Sequence, residues 1–135
     1  MIPTRVQGHL NRLNEQEIKE WTNALKKSVD HWKQLRKLNP AHRPYDEQCA
    51  LCKRGHNEDY RDLCCTGFCP LGIYLGNSCD IGGRSIWEEA KGQWEVNKYV
   101  RKPNNERFHY GKIDRMINVL EKLYRIYNAA YLSHK

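Results

Sequence analysis

KIDRMINVLEKLYRIYNAAYL, residues 112–132, carries Ile113, Met116, Ile117, Leu120, Leu123, Tyr124, Tyr127, Ala130 and Tyr131 at helical spacing. Side chains three and four apart share one face of an α-helix, so the stretch predicts a long helix over 112–132 with one broad apolar stripe. A helix of this length is not stable alone in water, and its stripe has to be covered.

The matching surface is near the other end of the chain. Ile18, Trp21, Leu25, Val29, Trp32, Leu35 and Leu38 also step by three or four, predicting a helix over 14–38. Asn14 with Glu17 three residues on is a capping-box start. Pro40 marks the stop, because a residue before proline avoids the helical region. Ser85, with Glu88 three residues later, opens a shorter helix over 85–97, in which Ile86, Trp87, Ala90 and Trp94 line a face. Residues 1–13 show no clear pattern and are read as irregular. The expected fold is one mainly α domain, 1–135. Its two long amphipathic helices pack against each other, and the short third helix closes the side. Trp21, Trp32, Tyr124 and Tyr127 sit at core spacing and are read as packing residues rather than base-stacking platforms. The wide C-terminal stripe also leaves room for a homodimer.

Between the first two helices lies an irregular insertion, 49–83, that contains all six cysteines and six of the nine glycines. It has no sustained periodicity and cannot order itself by burial alone. Cys49-x2-Cys52 has the spacing at which two thiolates reach one tetrahedral ion, and Cys65-x3-Cys69 offers a second pair. The expected structural zinc ligands are Cys49, Cys52, Cys69 and Cys79, with Cys65 as the alternative fourth. Cys64 is the spare, and His56 and His42 are candidates to replace a thiol, against the plainer reading of solvated loop histidines. An iron–sulfur cluster is the alternative cofactor, since several cysteines with a proline after one suit it too. Disulfides need an oxidising compartment. MIPTRVQGHLNRLNEQE lacks the apolar middle of a secretory signal, and no apolar run spans a bilayer, so a cytoplasmic protein without a membrane partner is expected.

The cluster resembles a group of small phage and prophage proteins of uncharacterised function. The shared pattern is a Trp-bearing N-terminal helix, C-A-L-C, C-x2-C-P, G-x-x-C, and a small polar residue leading an aromatic. Here these are Ser28 to Trp32, Cys49 to Cys52, Cys65 to Leu71, Gly76 to Cys79 and Ser85 to Trp87. This chain has three residues rather than two between Cys65 and Cys69, and the extra Cys64. The resemblance implies a phage-type accessory protein acting on a host factor or on nucleic acid, and brings no established activity.

The formal charge is +7 overall, distributed as +3 over residues 1–48, −2 over 49–97 and +6 over 98–135. Arg101, Lys102, Arg107, Lys112 and Arg115 cluster around the connection into the last helix and could track phosphates or an acidic partner. The plainer reading is a solvated loop. A phosphate-binding loop, H-E-x-x-H and the zinc-deaminase pattern are all missing. A metal nuclease would have to draw on His56, Asp59, Asp62 or His109, which show no recognised spacing. A four-thiolate site is ordinarily closed and structural. The expectation is therefore a non-enzymatic, zinc-stabilised host-protein binder displaying residues such as Arg54, Tyr60, Ile73 and Tyr74. Nucleic-acid binding is the alternative.

Overall fold

In a computed structural model, residues 2–43, 70–75, 86–99 and 110–133 are described. These residues form five helices and no strand: α1 Thr4–Arg12, α2 Glu15–Arg36, α3 Pro70–Leu75, α4 Ile86–Tyr99 and α5 Gly111–Ser133. No helix among them is long and apolar enough to cross a membrane.

The two long stripes meet. α2 and α5 form the largest helix–helix contact, α4 packs along α5, and α3 lies against α1 and α5. Arg36, at the C-terminal end of α2, meets Asp114 in the first turn of α5, so the pair runs antiparallel. The seam buries Ile18, Trp21, Leu25 and Leu35 from α2 against Ile113, Leu120, Leu123 and Tyr127 from α5. Trp32 is buried with them, while Tyr124 is only partly so. Ile86, Trp87, Ala90 and Trp94 of α4 complete one hydrophobic core.

α2 starts where its sequence says. Asn14 Oδ1 accepts from Glu17 N at 2.8 Å, and Asn14 N donates to Glu17 Oε1 at 3.0 Å. Its end differs from the expected 38. The helix stops at Arg36, and the chain reverses through Leu38 at φ 57°. Leu38 N donates to Leu35 O at 3.0 Å and Asn39 N to Gln34 O at 3.2 Å, the two bonds of a Schellman termination. Leucine occupies the left-handed position usually given to glycine. The turn at Leu38, and not Pro40 two residues later, is what ends the helix.

Two expectations are corrected. Residues 1–13 are not irregular: α1 buries Val6, His9 and Leu10. Leu13 packs on the same core, so positions 6, 9, 10 and 13 follow the i, i+3, i+4, i+7 pattern once histidine is counted as a buried residue. Within the span read as a loop, Pro70–Leu75 is helical. Proline at the first helical position is favourable because its missing N–H would have no helical partner there. Pro70, Leu71, Gly72 and Ile73 are buried, so Ile73 is a packing residue and not one displayed to a partner. Tyr74 is partly buried, its hydroxyl 3.3 Å from Lys122 Nζ, which donates to it.

Candidate functional site

The six cysteines, with the ligand set Cys49, Cys52, Cys69 and Cys79 or Cys65, lie outside the described residues. So do His56, Asp59, Asp62, His109, Arg54 and Tyr60. Among the described residues no three His, Cys, Asp or Glu side chains are grouped to hold a metal ion. The described chain enters the cysteine stretch at Arg43 and resumes with α3 directly after Cys69.

The entry corner has a defined polar geometry. The Schellman turn folds residues 39–43 back beside the last turns of α2, where Asn39 Oδ1 accepts from Ala41 N at 3.0 Å and Asn39 O from His42 N at 3.0 Å. This carries His42 to His31: their Nδ1 atoms are 2.8 Å apart, and His31 Nε2 lies 2.8 Å from Arg43 O. The rings are tilted at 46° with centroids 5.0 Å apart, and both are half-buried. His42 also forms part of the wall of a cleft of about 210 Å³, shared with Leu38, Pro40, Arg43, Trp94 and Lys98.

Of the five basic residues expected to act together, Arg101, Lys102 and Arg107 lie outside the described residues. Lys112 and Arg115 sit in the first turns of α5, with side chains 56% and 59% exposed. Both lean toward Glu89 Oε2 of α4 at 3.9 Å, distances at which an exposed pair contributes little. Glu89 thus offsets part of their charge. Beside them Gln93 Oε1 accepts from Lys112 N at 2.9 Å and Ile113 N at 3.2 Å, capping α5 from a neighbouring helix.

At the opposite end, His9 Nδ1 and Tyr127 Oη are hydrogen-bonded at 2.6 Å, with Trp21 edge-on to the imidazole at 6.2 Å. His9 is 2% exposed and Tyr127 fully buried. Burial, reinforced by the Arg12 charge, pushes the His9 pKa down to about 4, so the ring is neutral at pH 7. The pair is sealed from any substrate, and its role is to hold α1 on the bundle. Sequence reading passed over His9 because it treats histidine as polar.

The chain matches no protein-family model, no curated protein and no solved structure.

Proposed function

We propose that this protein is a non-enzymatic, zinc-stabilised accessory protein of phage type that binds and modulates a protein of the host cell. The carrying observation is the anchoring of the cysteine stretch: the Schellman-terminated α2 precedes it, and α3, buried from Pro70 to Ile73, follows Cys69 at once. Two fixed ends reduce the loop-closure entropy opposing a metal site between them. The thiolate spacing and the resemblance to small phage proteins supply the rest. In this reading Cys49, Cys52, Cys69 and Cys79 (or Cys65) hold zinc, and the ordered loop presents the partner surface, with Arg54 and Tyr60 in it. Four thiolates leave no open coordination position, which speaks against a metal nuclease.

Elemental analysis of chain purified under reducing conditions tests the metal: one zinc per chain is expected, while two or more irons and a brown colour replace zinc by a cluster. Capture from host lysate then compares loaded with chelator-stripped chain. A stoichiometric protein partner lost on stripping supports the reading, and background proteins alone sink it.

Binding of nucleic acid is the second reading, favoured by the exposure of Lys112 and Arg115 beside the +6 C-terminal third. Electrostatic binding to duplex DNA would fall steeply between about 50 and 200 mM salt. No binding at the lower salt removes it.

A further inference from the structure

We propose that the cleft between α1 and the C-terminal half of α5 binds a small amphipathic anion, an unbranched carboxylate of medium chain length. The cleft encloses about 480 Å³, within the roughly 300–1,000 Å³ of small-molecule sites. Its floor is apolar. Leu10 of α1 and Ile18 of α2 are buried core residues, and Ile126 and Ala130 of α5 are partly buried beside them. Polar side chains of the walls bond within the walls: Gln7 Nε2 donates to Asn11 Oδ1 at 2.9 Å, and Ser133 Oγ to Ala130 O at 2.9 Å. A peptide segment would bring backbone N–H and C=O groups that need partners there. A methylene chain needs none, which favours it as the occupant.

The charge at the mouth selects the headgroup. Arg125 is the only charged side chain among the described residues lining the cleft. Its side chain is 76% exposed, so the guanidinium can meet a carboxylate while staying largely hydrated. Glu121 Oε2 lies 3.6 Å from it, but Oε1 of the same carboxylate lies 3.8 Å from Lys33 Nζ. One carboxylate between two cations leaves a net positive charge, which attracts a ligand anion and repels a cation. The same charge, with +7 over the whole chain, disfavours a second copy as the occupant. The site uses no cysteine and stands apart from the zinc reading.

The test titrates full-length chain with octanoate, decanoate and dodecanoate below micelle-forming concentrations, read by calorimetry and amide NMR shifts. Each buried methylene should raise affinity about fourfold until the cleft is full, after which longer chains should add nothing. The shifts should centre on Gln7, Asn11, Ala129 and Ala130. Decanoate should bind about fivefold tighter than decanol, with decylammonium weakest. Arg125→Gln should remove that order and leave decanol unchanged. Ala129→Leu, at an exposed helical position in the cleft wall, should weaken decanoate and decanol alike. Unchanged thermal unfolding of both variants separates these effects from misfolding. Affinity that climbs with chain length without a plateau, or shifts centred elsewhere, means partition onto apolar surface and overturns the site. Equal binding of the three headgroups overturns the choice of an anion. Saturable binding of an acidic amphipathic peptide, with no response to any carboxylate, overturns the small-molecule occupant.

Discussion

At one end of the α2–α5 pair, His9, Tyr127 and Trp21 bring polar atoms into the core and exclude water. At the other end, Arg36 bonds Asp114 at 2.7 Å and lies 4.0 Å from the centre of the Tyr110 ring, with both charged side chains more than two-fifths exposed. The same seam therefore closes by two kinds of physics. The sealed end depends on burial and on the hydrogen bond between His9 and Tyr127, so small changes there are costly. The open end depends on solvated pairs and caps, each contributing modestly. Histidine shows the contrast directly, as a neutral packing group at one end and a hydrogen-bond relay at the other.

The largest blow to the sealed end is Trp21→Ala. Removing a fully packed indole should cost about 3–5 kcal/mol in urea denaturation, a large share of a small domain's stability. A loss under 1 kcal/mol would mean the aromatic corner carries no special weight.

Acid acts on the same place. Above pH 6.5 His9 is neutral folded and unfolded. As pH falls from 6.5 the unfolded chain takes up a proton that the buried ring refuses, and stability is lost until the folded form also protonates near pH 4. The span corresponds to about 3 kcal/mol near its lower limit. His9→Gln should flatten the slope between pH 6.5 and 4.5, and an unchanged slope in the variant would place the titration elsewhere. Tyr127→Phe deprives the buried His9 Nδ1 of its partner and should cost about 1–3 kcal/mol at pH 7. Equal thermal stability of Phe and Tyr at this position would show that the hydrogen bond adds nothing net.

At the open end the changes are smaller. Gln93→Ala leaves the Lys112 and Ile113 N–H groups without their cap and should cost about 1 kcal/mol, by analogy with the loss of a helix N-cap. Arg36→Ala should cost under about 1 kcal/mol, less in high salt. An Arg36 effect as large as that of Trp21 would erase the distinction between the ends.

The long elements were legible in sequence because periodicity and a local cap agree: Asn14 and Glu17 announce α2, and the 113–131 stripe announces α5. α1 was not legible because its four-residue pattern includes His9, whose burial is made possible by Tyr127, 118 residues away. α3 was hidden among glycines, and six residues give periodicity little to report. The stop at Arg36 was misplaced because Leu38 continues the apolar spacing while adopting a left-handed backbone that no pattern announces. Thiol spacing nominates the cysteines as candidate ligands but leaves open which four of six would share an ion. The His31–His42 pairing depends on a chain reversal that spacing does not encode.

The bond between His9 and Tyr127, like that between Arg36 and Asp114 across 78 positions, makes the bundle a non-local structure despite its helical content. Helical proteins owe their usual speed to neighbours in sequence meeting first, and here the decisive meetings are between residues synthesised far apart. A chain emerging from the ribosome cannot assemble this core until residues as late as Tyr127 have been made, leaving the α2 tryptophans uncovered in the interval.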